Sequence, residues 1–169
     1  MARSYRYVGP REIAANVADR GGGIIVDSVE TLNLTLRSMF GCMNGESLTV
    51  TFVIGLDRKL RIADRRSEHV ACANGENVFS AGEMTFRFDG DIVLVERVTN
   101  QSTGYCPEPE SWAAVADALD LIQIDRPAVF DPCFVFRRCP SCSQINIVKD
   151  GWYRCEVCES PLPDTWNFD

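Results

Sequence analysis

Hydrophobic residues in the first quarter of the chain follow the spacing of a helix. Val29, Leu32 and Leu36 recur at intervals of three and four residues, so they would share one face of an amphipathic helix. Asp27 and Glu30 have the spacing of a capping box, in which two side chains satisfy free backbone N–H groups at a helix start. We therefore predict a helix that begins at Asp27 and runs to about residue 39.

Between residues 48 and 98 the hydrophobic residues follow strand spacing instead. Segments rich in β-branched residues are separated by short polar turns, which is typical of antiparallel hairpins. The predicted strands are 24–26, 48–54, 59–63, 77–88 and 92–98. Short helices are predicted near residues 10 and 109, in addition to the longer one. The pattern indicates an α+β fold: a mostly antiparallel sheet with two or three helices.

Four cysteines near the C-terminal end are arranged as two CxxC pairs. They are Cys139, Cys142, Cys155 and Cys158, and 12 residues separate the pairs. Two intervening residues let a tight turn direct both sulfurs at one metal ion, and a shell of four thiolates favours Zn²⁺. The segment resembles the zinc-ribbon superfamily, which implies one structural zinc ion held by two rubredoxin-like turns. We expect the spacer to form strands at 144–149 and 152–154.

The chain is expected to divide into an α+β domain, 1–130, and a zinc ribbon with its tail, 131–169. The polar, proline-containing stretch 125–127 is the predicted boundary. The tail contains Trp166 and Phe168, which we expect to pack on the ribbon or on the main domain. The alternative is that these aromatic side chains anchor a partner protein.

Composition narrows the functional class further. The 169 residues carry a net charge of −7, which does not favour nucleic acid or an anionic membrane as a partner. No long apolar run or signal peptide is visible, so we expect a cytoplasmic protein without a membrane segment. The other cysteines, Cys42, Cys72, Cys106 and Cys133, are scattered, and we expect free thiols in a reducing compartment.

The single histidine, His69, lies in a segment that allows four interpretations. One is a nucleophilic pair of Cys106 or Cys72 with His69, oriented by Glu83. A second is another metal site, built from His69 and Cys72 with Cys106 or Cys42. A third is a pocket for a nucleotide or sugar, and the fourth is a purely structural histidine with cysteines that serve as small core residues. The proposed pocket would be lined by Arg65, Arg66, His69, Glu83, Asn100, Ser102 and Tyr105.

The order of His69, the strand residues 81–83 and the loop 103–107 resembles a segment of plant IQ-motif calmodulin-binding proteins and some bacterial multidomain proteins. In those proteins a histidine-serine stretch precedes a small-residue AAG strand, a hairpin and an SGHY-x-P loop. Here Tyr105 replaces the loop histidine, the loop is one residue shorter and no IQ motif is present. The resemblance therefore implies a shared fold element, with neither calmodulin binding nor a reaction.

These observations favour a small cytosolic, bacterial, zinc-binding protein that acts as an interaction or regulatory module, with another protein as its partner. The alternative hypothesis is an enzyme or ligand-sensing domain centred on His69, Glu83 and the loop from Ser102 to Cys106. Side chains that converge on one open cavity would favour the alternative.

Overall fold

A computed structural model of the chain describes residues 2–17, 21–40 and 47–168. The α+β class and the mostly antiparallel sheet predicted from the sequence are confirmed. These ranges contain four α-helices, two of them only four or five residues long. In chain order the elements are α1 (Arg11–Ala15), β1 (Ile24–Val26), α2 (Val29–Phe40), β2 (Ser47–Gly55), β3 (Leu60–Asp64), α3 (His69–Cys72), β4 (Val78–Asp89), β5 (Ile92–Val98), α4 (Trp112–Ile122), β6 (Val135–Arg138) and β7 (Ile145–Val148).

Five strands form one antiparallel sheet in the order β1-β3-β2-β4-β5, and both faces of this sheet are covered. On one face Phe52 of β2 packs in a large core with α2 and α4. On the other face Val53 packs with Tyr5, Val70 and Tyr105, which come from the N-terminal segment, α3 and the loop after β5. Because both faces of β2 are covered, all its residues from Val50 to Gly55 are buried.

The start of α2 differs from the prediction. Ser28 accepts a hydrogen bond from the Thr31 backbone N–H at 3.1 Å, so Ser28 caps the helix. Asp27 instead accepts from the Thr31 hydroxyl at 2.9 Å. The predicted capping box of Asp27 and Glu30 is therefore wrong, because a better-placed hydroxyl lies one residue later.

The predicted domain boundary packs along the outer edge of the main sheet. Val95 of β5 donates its backbone N–H to the carbonyl of Asp125 at 3.0 Å. The Asp131 N–H donates to the carbonyl of Val98 at 2.8 Å. Residues 125–131 thus cover an edge that would otherwise present free backbone groups. The division into 1–130 and 131–169 stays a prediction.

The C-terminal segment forms its own two-stranded sheet, but with a different pairing from the predicted one. β6 precedes the first CxxC pair and β7 follows it, and the two strands pair from Val135–Val148 to Arg138–Ile145. The predicted strand 152–154 is wrong, since Trp152 and Arg154 form only isolated bridges. In the described ranges no helix is long and apolar enough to cross a membrane.

Side-chain hydrogen bonds and aromatic packing join this segment to the main domain. The Asn100 amide donates to the carbonyl of Phe134 and accepts from its N–H, both at 2.7 Å. The Trp166 indole N–H donates to the carbonyl of Cys106 at 2.8 Å, and Phe168 is buried against Phe136. The expectation that Trp166 and Phe168 pack on the ribbon or the main domain is confirmed.

Candidate metal centre

Four cysteine sulfurs converge at one point next to the two-stranded sheet. The Sγ atoms of Cys139, Cys142, Cys155 and Cys158 all lie within 4.8 Å of one another. The Cys139–Cys158 and Cys142–Cys155 sulfurs are each 3.5 Å apart. Four thiols at these separations can coordinate one ion together. The cysteine cluster therefore forms a candidate four-sulfur metal site, as the spacing predicted.

The two CxxC turns have the same backbone hydrogen bonds. In the first turn, the Ser143 N–H donates to the Cys139 carbonyl at 2.9 Å, and in the second the Glu159 N–H donates to the Cys155 carbonyl at 3.0 Å. The N–H groups of Cys139 and Cys155 donate in turn to the carbonyl groups five residues later. This equivalence places the two pairs of sulfurs face to face around a common centre.

Each turn ends on a residue with a left-handed backbone. The φ angles are 64° at Ser143 and 60° at Glu159, a region that favours glycine. We expect Ser143→Gly to stabilise the site by about 1 kcal/mol, because glycine adopts this conformation without steric cost. Competition with a chelating dye would measure the gain as several-fold tighter metal binding. Ser141→Gly, at a position without positive φ, is the matched control and should weaken binding instead.

Backbone N–H groups give a thiol of the second CxxC turn a lower pKa than a thiol of the first. The N–H groups of Cys158 and Val157 lower the pKa of the Cys155 thiol to about 6. For Cys142 the Gln144 N–H favours the thiolate, but burial and the neighbouring sulfurs together raise the pKa to about 12. Hydrogen bonds between the sulfurs thus favour a retained proton on Cys142, and binding of a divalent cation to all four sulfurs would have to displace that proton.

Asn146 supports this site although nothing in its sequence context marked it. Its side chain is buried, and its amide nitrogen lies 2.9 Å from the Gln144 carbonyl and 3.6 Å from Cys155 Sγ. Its amide oxygen accepts the Glu156 N–H at 2.9 Å. One side chain thus connects the end of the first turn to the start of the second.

The structure brings together three of the candidate pocket residues: His69, Glu83 and Arg65. The imidazole is half-buried, and its Nε2 lies 3.0 Å from the Gly82 carbonyl, to which it can donate. Glu83 follows directly on β4 and pairs with Arg65 at 3.2 Å. His69 is therefore held by a backbone carbonyl beside a surface ion pair.

Three of the remaining candidates are buried and one is exposed. Asn100, Ser102 and Tyr105 are at most 1% exposed, and the Tyr105 hydroxyl donates to the Glu76 carbonyl at 2.7 Å. Arg66 is exposed and lines a cavity of about 520 Å³ between α1 and α3. The pocket around His69 stays a prediction.

The scattered cysteines are also separated from one another. Cys72, the last residue of α3, belongs to one hydrophobic cluster with Tyr105. Cys106 belongs to a different cluster with Phe168 of the C-terminal segment. Burial raises the pKa of both thiols to about 12, which disfavours a nucleophilic thiolate. Cys133 is exposed, and Cys42 lies outside the described residues.

His69 should make the folded state sensitive to mild acid. Burial lowers the pKa of His69, so in the unfolded chain, where the pKa is near 6.5, the imidazole binds a proton more readily. Its stabilising contribution is therefore present above about pH 6.5 and is lost as the pH falls below that value. We expect the urea midpoint to fall between about pH 7.5 and pH 5.5, and to fall less for His69→Gln. An equal fall of the urea midpoint in the wild type and in His69→Gln would contradict this prediction.

Comparison with protein-family models, with curated proteins and with solved structures finds no match for this chain. The resemblance of the segment from His69 to Pro107 to the plant and bacterial proteins therefore stays a prediction.

Proposed function

We propose that the four cysteines hold one structural Zn²⁺ ion and that the protein is an interaction or regulatory module. The observation that carries the proposal is the convergence of four Sγ atoms within 4.8 Å from two equivalent turns. A tetrahedral zinc ion with bonds of about 2.3 Å needs sulfurs about 3.8 Å apart. The measured separations fit that requirement, and a shell of soft thiolates selects zinc over hard cations.

A structural role for the ion follows from the number of ligands. Four cysteines fill a tetrahedral shell, whereas a catalytic zinc ion keeps one position open for water or substrate. The apolar cluster around the site is small: Cys139, Cys155 and Leu162 are its buried members. So few side chains cannot fold the segment, and zinc would supply the missing free energy.

An interaction role is supported by apolar side chains that are exposed to solvent on residues 139–162, the metal segment. Trp152 and Val157 are 67% and 68% exposed, although both belong to turns that the metal centre orders. Large, rigidly presented aromatic side chains are the residue types that dominate binding energy at protein interfaces. Zinc would fix these side chains before the partner arrives, which lowers the entropy lost on binding.

Metal content tests the first part of the proposal. The purified protein is expected to contain one zinc ion per chain by elemental analysis, and Cys155→Ser is expected to contain much less. Cys133→Ser is the matched control, because this exposed cysteine lies outside the cluster, and it should retain the full zinc content. Zinc-free protein, or an equal loss in both variants, would contradict the site.

Crosslinking in cells tests the interaction role. A photo-reactive residue in place of Trp152 is expected to capture a specific protein, and the capture should disappear on treatment with a membrane-permeant chelator. The same residue in place of Leu121, which is 76% exposed on α4, is the control. Identical products from both positions, or none from position 152, would argue against a partner at the metal segment.

A further inference from the structure

A cleft with three arginines lies where the N-terminal segment meets the C-terminal tail. Its volume is about 580 Å³, and Arg6, Arg11 and Arg138 line it together with Tyr7, Val8 and Phe168. No aspartate or glutamate of the described residues lines it. This concentration of positive charge stands out because the chain as a whole carries −7. The cleft therefore presents an attractive field to an anion on an otherwise acidic protein.

Arg6 is held in place before any ligand binds. The residues on either side are anchored: Tyr5 pairs with the first residue of β4, and the Val8 N–H donates to the Gly104 carbonyl at 2.7 Å. The guanidinium donates to the Phe168 carbonyl through Nη2 at 3.2 Å and through Nε at 3.4 Å. These bonds orient the group and leave its third nitrogen, Nη1, available to a ligand.

Arg138 is ordered in a different way. Its backbone N–H donates to the Asn167 side chain at 2.9 Å, and its carbonyl accepts from the same side chain at 2.7 Å. Its guanidinium lies over the Phe168 ring, 5.3 Å from the centroid. Stacking restricts the plane of the group without using its N–H donors, so the edge remains free for bidentate hydrogen bonds.

The charge of the cleft is not neutralised by the described part of the chain. Arg6, Arg11 and Arg138 form no ion pair with any described residue. Six arginines elsewhere do, namely Arg37, Arg58, Arg61, Arg65, Arg126 and Arg137. Five further described arginines also lack an ion pair, but the cleft is where three such arginines lie together with no described carboxylate in its lining, which indicates a site for an external anion.

We propose that this cleft binds a small organic phosphate monoester. Guanidinium groups match the oxygens of phosphate in pairs, and three of them suit a dianion better than a single carboxylate. The volume falls within the usual range for small-molecule sites. Tyr7 and Val8 provide an apolar wall for the organic part. The proposal adds a ligand site to the metal centre and does not depend on which ion the cysteines hold.

Titration calorimetry with phenyl phosphate tests the proposal on the zinc-loaded full chain. Arg6→Gln and Arg11→Gln, both outside the metal segment, are each expected to weaken binding at least tenfold while zinc content stays unchanged. Arg87→Gln is the matched control, because Arg87 is an exposed arginine on β4 outside the cleft. Benzoate, a monoanion of similar shape, is expected to bind at least tenfold more weakly than phenyl phosphate.

Three results would overturn the proposal. One is no binding of phenyl phosphate by the wild-type chain, with binding only after Asp169→Asn, which would assign the arginines to the chain's own carboxylate. Another is an equal loss of phenyl phosphate affinity in the Arg87→Gln control, which would show that only the net charge of the chain matters. The third is equal affinity for benzoate. Zinc-free wild-type protein that still binds phenyl phosphate would contradict the metal centre alone, so the two proposals fail separately.

Discussion

Chelation of the metal is expected to unfold residues 139–162 while the five-stranded sheet stays folded. Structural zinc sites in small modules contribute an apparent binding free energy of roughly 10–16 kcal/mol, which is also folding free energy. The apolar cluster around the four cysteines is far too small to replace that contribution. The main sheet has its own extensive core between β2, β4, α2 and α4, so it does not depend on the ion.

Hydrogen exchange would measure this difference segment by segment. With excess chelator, amides of β7 and of both CxxC turns are expected to lose protection, and the amides of β2 and β4 are expected to keep it. Added zinc should restore protection, and Cys133→Ser should behave as the wild type does. Unchanged protection in β7 after chelation would show that the metal is not what folds this segment.

The tail should respond to chelation as well. Trp166 is held on the main domain by its bond to the Cys106 carbonyl, and Phe168 packs with Phe136 of β6. Since β6 pairs with β7, unfolding of β7 would remove part of the surface that holds the tail. We expect the tail to lose only part of its protection, because its contacts with Tyr5 and Cys106 lie outside the metal segment.

Sequence patterns over a few residues predicted the strands and turns whose formation depends on neighbouring residues. The strand predicted at 92–98 is found as Ile92–Val98, because its alternation and the preceding turn at Asp89-Gly90 are both short-range signals. The four-cysteine cluster was likewise predictable, since two CxxC turns can serve one ion only if they come together. The pair Asn44-Gly45 predicts a turn that ends the α2 region, and it lies outside the described residues.

Pairings between distant residues were not predictable. The turn at Asp150-Gly151 predicts that 152–154 pairs with the strand just before it. In the fold β7 pairs instead with β6, which lies on the other side of Cys139. Asn146 looks like any polar strand residue, and only the fold brings it to Cys155 and Glu156. A single sequence contains no signal for such contacts, because they depend on register and burial.

Asn100 and Tyr105 show why residue type alone is a weak guide to a binding site. Asn100 and Tyr105 are polar side chains on a glycine-containing loop, a pattern that is common at binding sites. In the fold both side chains are buried and bond to backbone groups of Phe134 and Glu76. Buried hydrogen-bonding residues and ligand-binding residues have the same chemistry, so only their surroundings distinguish them.

Arg137 gives the clearest correction to a sequence-based interpretation. Two adjacent arginines beside Cys139 are a pattern typical of a solvated basic pair, but the Arg137 side chain is only 4% exposed. It pairs with Glu108 at 2.7 Å, and it donates to the Asp164 carbonyl at 2.8 Å. One guanidinium thus connects β6, the segment before α4 and the tail.

Replacement of Arg137 by methionine is expected to destabilise the protein by about 3–5 kcal/mol. The Glu108 side chain is 16% exposed, so its carboxylate would be left mostly buried without its partner. The Asp164 carbonyl would lose a donor as well. Urea unfolding followed by circular dichroism would measure the loss, and Arg138→Met is the neighbouring control, because Arg138 forms no ion pair with any residue that the structure describes.

The double variant Glu108→Gln with Arg137→Met separates pairing from packing. If the cost comes from an unpaired buried carboxylate, the double variant should be more stable than Arg137→Met alone, because the uncompensated charge has been removed. Additive losses from the two substitutions would contradict coupling between Glu108 and Arg137. Zinc content should remain at one ion per chain in both variants, since neither residue is among the four cysteines. A destabilised chain with full zinc would show that the ion pair, and not the metal centre alone, secures the C-terminal segment to the main sheet.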